Sequence, residues 1–530
     1  MNRRKFLKAV PVTLGGTTLS AYASNPLLAN LSEALIATDK VLVIIQLNGG
    51  NDGLNTLIPL DQYSVLSKPS VRQNILIPEN KVLKLSGTND TVGLHPSMTA
   101  MHELYKDKKL QAIQSVGYPQ FSYSHFRAAD IWISGSDADQ EINSGWAARY
   151  LNYEYPNYPV GFPNTNYPDP VAIRLGGTIT LGLQNQGVSM GISIYNTRDP
   201  LNLNSNLFTD SLTKDYMGKE LAYAREVLRQ TDKFGDAVQA AGDKGRNLST
   251  KYPKGNEPGS TLAAHLSIVA KLIDGGSKTK IFWLSTGGFD THSSQVDAGD
   301  HTIGIHATLL KGVSDAIGAF MDDLKLLGHE DKVLGMSFSE FGRRVISNAS
   351  GGTDHGAAQP IFLFGGKVRD GVLGNNPQID PNSNVNSNLP MQYDFRSVYA
   401  SILQDWFCVP ETDLEKILFK NFQKLDIVNS NHCLNTSTKK VHTEVGRNII
   451  YAYPNPFIHT TKIKFESQGG FTMIEIINNE GSVLKTILSA VIPKGDYELS
   501  CDLEGAPEGI YYARIQNENL QQVTAMMKIK

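Results

Sequence analysis

Cysteine is nearly absent from this chain: Cys408, Cys433 and Cys501 are the only three in 530 residues. They stand too far apart for a local metal knuckle and are too few for a disulfide framework, so none is given a role. Charge is low and balanced. Lys and Arg number 49 against 52 Asp and Glu, a net charge of -3, which excludes the basic footprint of a nucleic-acid binder. No Gly-x-Gly-x-x-Gly fingerprint follows a strand, which argues against a dinucleotide-dependent redox protein. Long apolar runs are missing too. The stretch from Ala9 to Leu19 is short and broken by Pro11, Gly15 and Gly16, and no second segment of spanning length appears, so no transmembrane segment is expected in the mature form. What remains is an ordinary globular composition, 41% hydrophobic and 19% charged, on a chain long enough for two or three domains.

The first 23 residues read as an address. Arg3, Arg4, Phe6, Leu7 and Lys8 precede the weak apolar stretch, and Ala21-Tyr-Ala23 has the small-x-small pattern of a cleavage site. The segment resembles a twin-arginine (Tat) signal without the usual preceding Ser or Thr. Such a signal implies export of an already folded protein. Residues 24–39 read as a short lead-in helix.

The remaining motifs share one grammar, a buried strand followed by glycines and short polar residues. Val41 to Ile45 is a continuous aliphatic run, as in a parallel strand covered on both faces. Asn48-Gly-Gly-Asn-Asp-Gly53 then turns the chain sharply and leaves Asp52 at the strand's carboxyl edge, where open α/β sheets bind ligands. A helix near Pro96 and a strand from Leu110 to Val116 follow. Ser122 or Ser124 would cap a helix beginning at His125; either serine is a helix cap or a nucleophile. Residues 150–205 read as a loop-dominated insertion, and 210–239 and 259–273 as helices. The opening grammar returns at Lys280 to Ser285, Gly287-Gly288, then Asp290 and His292. A helix from Ala307 to Leu327 carries a core stripe. The next strand, Lys332 to Phe338, ends in Ser339-Glu340 and Arg343-Arg344, then Asp354-His355, then a strand at Pro360 to Phe364. Three or more carboxylates gathered at one sheet edge with one or two imidazoles would repel one another without a cation, so one or two divalent ions (Zn, Mn, Mg or Ca) are expected. Arg127, Arg343 and Arg344 are candidates for gripping an anion, although paired surface arginines are more often solvated or ion-paired.

Six phrases in order, Leu47 to Asn55, Leu94-His-Pro96, Ser124-His-Phe-Arg127, Gly287 to His292, Ser339 to Arg344 and Gly352 to Gly356, resemble the bacterial family labelled DUF1501 over residues 40 to about 425. That family is similar to the alkaline phosphatase and sulfatase superfamily. The resemblance implies an α/β fold with a doubly wound, mostly parallel sheet. It implies a metal set of Asp52, Asp290, His292, Glu340 and His355, with His301 or His306 as substitutes for His292. It implies Ser124 as the candidate nucleophile, ahead of Ser122; Arg127 and Arg343, read above as anion-gripping candidates, are taken as its catalytic companions. The expected activity is hydrolysis of an anionic small-molecule or glycan ester of phosphate or sulfate; the alternative is a non-catalytic envelope binding protein with a degenerate site.

Four segments are expected: a signal at 1–23, the α/β domain at 24–430, a linker at 431–446 and a small all-β sandwich at 447–530. In the last, Thr461 to Phe465, Thr472 to Ile477 and Gly509 to Ile515 read as strands, with Asn478 to Gly481 as a hairpin turn. Asn455-Pro-Phe457, Gly509-Ile-Tyr511 and the basic tail resemble the C-terminal sorting domain of the type IX secretion system of Bacteroidetes. The resemblance implies passage through the periplasm to the cell surface or beyond, with the Tat and type IX machinery as partners.

Overall fold

A computed structural model describes residues 39–156, 158–159, 161–197, 234–429, 433, 450–478, 483–517 and 521–529. The expected signal peptide, all but the last residue of the lead-in helix, most of the helix at 210–239 and of the linker, and residues 479–481 of the hairpin turn lie outside the described residues. The chain divides into two compact units, one spanning Asp39–Leu434 and the other including Asn435–Lys530.

The larger unit is built on a nine-stranded sheet. Its strands are β1 (Val41–Leu47), β2 (Leu110–Gly117), β3 (Ala172–Leu175), β4 (Ile192–Ile194), β5 (Ile281–Thr286), β6 (Val333–Ser339), β9 (Gln359–Gly365), β10 (Gly371–Leu373) and β11 (Tyr393–Asp394). A two-stranded ribbon, β7 (Arg343–Ser347) with β8 (Thr353–His355), lies between β6 and β9 in sequence. The sheet order is β10-β2-β9-β6-β1-β5-β3-β4, with β11 also on β2. Strand β1 is central, parallel to β5 on one side and β6 on the other. All seven of its residues are buried, as an uninterrupted aliphatic run requires when helices cover both faces. Strand β9 alone runs the other way, antiparallel to both β6 and β2.

Helices α1 (Thr99–Lys106), α2 (His125–Ser134), α3 (Trp146–Glu154), α4 (Ser260–Asp274), α5 (Ile305–Leu327) and α6 (Phe395–Asp405) flank the sheet. Their aromatic residues fill the core: Trp132 of α2 stacks between Phe338 of β6, at 5.4 Å, and Phe395 of α6, at 4.5 Å.

Two expectations are corrected. Residues 150–205 are not only loop, since they contribute β3 and β4, the last two strands at one edge of the sheet. These strands are four and three residues long and lie among Gly, Pro and Tyr, so they carry no period long enough to read. The cysteines are not without a role either. Cys408 and Cys433 form a disulfide, with Cα atoms 5.3 Å apart, while Cys501 is free and buried. The partner of Cys408 is 25 residues away, a pairing that only the path of the chain after α6 reveals.

The smaller unit is a five-stranded sheet whose strand pairs are all antiparallel: β12 (Ile450–Tyr453), β13 (Thr460–Ile477), β14 (Val483–Asp502), β15 (Gly509–Asn517) and β16 (Gln521–Lys528). The two strands expected before the hairpin are one. Gly469 and Gly470, at φ +91° and +97°, carry the chain through a kink without breaking its pairing with β14. Ile463, Phe465, Ile474, Ile476, Tyr511, Ala513 and Ile515 alternate into its core. Among the described residues no helix is long and apolar enough to cross a membrane.

In the larger sheet, Gly335 of β6 sits opposite Phe364 of β9, whose ring occupies the space a Cβ would take, 2.0 Å away. Gly335→Val is expected to destabilise the protein by about 1–3 kcal/mol through overpacking, and by clearly less in a Phe364→Ala background. Urea unfolding of the two single variants and the double variant measures the coupling.

Candidate metal centre

The site grows from three strand ends lying side by side. After β1 the chain turns through Gly49 (φ +123°) and Gly50 (φ +78°). A Cβ on Gly49 would meet the Asp290 nitrogen at 2.3 Å, so both backbone angle and space demand glycine there. This close approach sets the turn after β1 directly against the turn after β5. The end of β6 then ties the first turn down. Ser339 Oγ accepts N–H groups from Gly50 and Asn51, each at 3.1 Å, and donates to the Leu47 carbonyl at 2.6 Å. Glu340 Oε1 accepts from the Gly49 N–H at 2.8 Å.

Arg343 joins these turns from beneath. Its guanidinium is buried and donates to the carbonyls of Gly50 (2.6 Å), Gly49, Phe289 (3.0 Å) and Thr353 (2.7 Å), and to Asp290 Oδ1 (2.7 Å). One side chain therefore holds the turns after β1 and β5 and the strand β8 that carries His355.

Three imidazoles converge on Asp290. His292 Nε2 and His355 Nε2 each lie 3.1 Å from Asp290 Oδ1 and 2.8 Å from each other. His125 Nε2 approaches Oδ2 at 3.4 Å. Ligand atoms of His125, Asp290 and His355 all fall within 4.8 Å of one another. Each ring has an oxygen behind its other nitrogen: Glu340 Oε1 at 2.7 Å for His125, the Tyr123 carbonyl at 2.8 Å for His355, and Asp354 Oδ1 at 3.1 Å for His292. A backbone carbonyl only accepts, so Nδ1 of His355 carries a proton, and its Nε2 is turned toward the centre.

The charges are arranged to match. Partial burial of Asp290 works against ionisation, but hydrogen bonds from Arg343 and His355 outweigh it and hold its pKa at about 2. Burial lowers the pKa of His355, opposed by its bonds to Tyr123 and Asp290 and aided by repulsion from Arg343 and His125. The side chains of Asp290 and His292 are 48% and 43% exposed, so the centre opens to solvent.

Sequence reasoning named Asp290, His292 and His355, and the structure brings them together. Asp52 lies elsewhere. Its buried carboxylate pairs with Arg72 at 3.2 Å and accepts from Gln295 Nε2 at 2.6 Å; burial alone would raise its pKa, and Arg72 foremost holds it below the ordinary range. Glu340 stands behind His125, its Oε1 taken by Gly49 and the ring. His306 is buried against Asn51 Oδ1 at 2.9 Å, and burial lowers its pKa to about 4. His301 binds the Leu76 carbonyl at 2.9 Å. Neither of these two substitutes for His292. Ser124 caps α2, accepting the Arg127 N–H at 3.5 Å, while its own N–H donates to Ser122 Oγ at 3.2 Å. Arg127 is spent on Asp130 and on the carbonyls of Asp137, Ala138 and Gln140. Arg344 donates to the His355 carbonyl at 3.1 Å and to Asn386 Oδ1 at 2.7 Å.

The residue overlooked was His125. It stood inside the Ser124-His-Phe-Arg127 phrase, and the signal was available: the first residue after a helix cap at a strand's carboxyl edge points its side chain toward the site as readily as the cap does.

Residues 39–418 match the family described as protein of unknown function (DUF1501). Residues 451–530 match a secretion system C-terminal sorting domain, which marks the chain for secretion. Among solved structures the chain is similar to one described under the metabolism of multiple glycosaminoglycans by Bacteroides thetaiotaomicron, at 10% identity and a TM-score of 0.34 over 92% of this chain and 88% of that one. It is similar to a sulfatase from Pseudoalteromonas sp., at 10% identity and 0.34 over 88% and 85%. It is also similar to alkaline phosphatase from the Antarctic bacterium TAB5, at 11% identity and 0.23 over 64% and 96%. Likeness at this level speaks to neither activity nor substrate. No curated protein matches the chain.

Because the Asp290 carboxyl is held at about 2, below its ordinary value of about 4, the stability it draws from its partners is present above about pH 4. That stability is lost as pH falls toward 2, and solvent screening keeps it small at a half-exposed group. Asp290→Asn is expected to flatten this acid-side slope in urea melts taken between about pH 2.5 and 6. Arg343→Met is expected to cost about 3–5 kcal/mol, because it leaves buried carbonyls and a carboxylate without their donor.

Proposed function

The chain belongs to the DUF1501 family, and we propose that it is an exported, metal-dependent hydrolase of phosphate or sulfate esters. The observation that carries this reading is the convergence of His125, His292 and His355 through Nε2 on Asp290. Imidazole nitrogens gathered around one carboxylate make a donor set that fits a divalent cation, and three nitrogens with one carboxylate suit Zn²⁺ or Mn²⁺ better than the oxygen-seeking Mg²⁺ or Ca²⁺. A divalent ion held there supplies Lewis-acid polarisation of an ester oxygen.

The protein's own groups do the rest. Arg343 keeps Asp290 ionised and in place. The Tyr123 carbonyl keeps the His355 ring turned inward. Ser124, next to His125 at the N-terminus of α2, is the candidate nucleophile, set where free N–H groups and a partial positive charge favour an anion. The substrate class is an anionic small-molecule or glycan ester, met outside the cell after export through the Tat and type IX routes. The Cys408–Cys433 disulfide accords with an oxidising destination.

One observation favours a second reading, an envelope binding protein that keeps the ion without turnover. Arg127 and Arg343 are saturated by internal partners, which leaves neither free to grip a substrate anion.

Metal analysis of natively exported protein is expected to find about one ion per chain in the wild type, and a loss of at least about tenfold in affinity in His125→Ala, Asp290→Asn and His355→Ala. Unchanged metal content in all three removes the centre. Hydrolysis across a panel of aryl phosphates and sulfates, abolished by Ser124→Ala, supports the hydrolase. A metal-loaded protein with no turnover supports the binder.

A further inference from the structure

We infer that Glu340 is a positioning residue for His125, setting which ring nitrogen faces the centre, and is not a ligand itself. The inference rests on the metal-centre reading above. Glu340 is 3% exposed, and its Oε1 is occupied within the protein. Oε1 takes the Gly49 N–H at 2.8 Å and His125 Nδ1 at 2.7 Å, and Oε2 lies 3.0 Å from Ser339 Oγ. Among the described residues no lysine or arginine pairs with it. A carboxylate buried without a cationic partner is costly unless its lone pairs are filled, and the imidazole N–H is the strongest donor within reach.

The consequence for His125 follows from donor and acceptor chemistry. Both ring nitrogens face carboxylates, which have no proton to give, but Glu340 Oε1 lies 2.7 Å from Nδ1 while Asp290 Oδ2 lies 3.4 Å from Nε2, so in the neutral ring the proton goes to Nδ1 and Nε2 keeps its lone pair. The other two rings are held differently. His355 leans on a backbone carbonyl, and His292 on an exposed Asp354 that Asn348 Nδ2 also approaches, at 3.1 Å. Only His125 has a buried carboxylate behind it, and that carboxylate is anchored to the turn after β1. The contact therefore also aligns the start of α2 with the central strand. Phe341 and His355 flank the His125 ring at centroid distances of 4.9 and 4.4 Å, so it has little freedom to leave this position. A carboxylate behind a metal-facing histidine raises the ring's donor strength and fixes its tautomer.

The test uses the full chain with ¹⁵N-labelled histidine, stripped of metal. Long-range ¹H–¹⁵N correlations report the tautomer of His125, assigned through His125→Gln. The expected result is Nδ1–H in the wild type, retained in Glu340→Gln, whose amide oxygen can still accept, and lost in Glu340→Ala. Zn²⁺ affinity, measured by competition with a chromophoric chelator, should fall about 10–100-fold in Glu340→Ala and largely recover in Glu340→Gln. An Nε2–H ring in the wild type, or an unchanged tautomer in Glu340→Ala, overturns the inference. So does a Zn²⁺ loss in Glu340→Gln as large as in Asp290→Asn, which would make Glu340 a ligand. If Glu340→Ala does not fold by circular dichroism, the Glu340→Gln arm decides. A wild type that binds no Zn²⁺ but shows the Nδ1–H ring defeats the metal reading alone.

Discussion

The molecule turns on a buried guanidinium. Arg343 reaches four backbone carbonyls and one carboxylate from three separate segments, and no shorter or less branched side chain could meet so many acceptors at once. Its burial is tolerable because its hydrogen-bonding capacity is filled from within. The same bond that fills it keeps Asp290 ionised, so the scaffold and the electrostatics of the centre depend on one contact. This also explains why the arginine is absent from the solvent-facing surface where an anionic substrate would meet it.

The direction of β9 matters almost as much. In a wholly parallel sheet each strand offers its carboxyl end to the ligand edge. Reversed, β9 offers its beginning. His355, four residues before Gln359, therefore arrives beside Asp290 from the opposite chain direction, and the β7–β8 ribbon supplies the return path. Ends of β1, β5 and β6, the start of α2 and the approach to β9 thus meet within one small volume. The polar residues under that volume, Asp52 with Arg72 and Gln295 together with His306 and Asn51, form a separate buried network that supports the turn after β1. Gln295 also accepts from Thr291 and Thr353, which links that network to the turn carrying Asp290 and to strand β8, which carries His355.

Much of this was legible beforehand. The aliphatic run at Val41 to Ile45, the recurrent Gly-Gly turns and the amphipathic stripe of α5 specify element type through local forces, namely burial of both faces, positive φ and helical period. Asp290, His292 and His355 were legible because each follows a strand end. His125 was passed over for its neighbour Ser124, because a serine before a helix satisfies the rule for a cap and the rule for a nucleophile equally well. The disulfide, and the merging of two short strands into β13, were illegible because each depends on where remote chain comes to lie.

Taken alone, the order of residues determined a parallel-rich α/β unit followed by a β unit, and a concentration of acids and imidazoles at one sheet edge. Local sterics and periodic burial suffice for that much. Only the tertiary structure decided which of those acids face the centre: Asp52 was drawn to Arg72, Glu340 to His125, and Asp290 alone was left with its oxygens open to three rings. The reason is that a carboxylate goes to the nearest unsatisfied donor in space, and the distance between Asp52 and Arg72, or between Glu340 and His125, is set by the packing of strands and helices rather than by their separation along the chain.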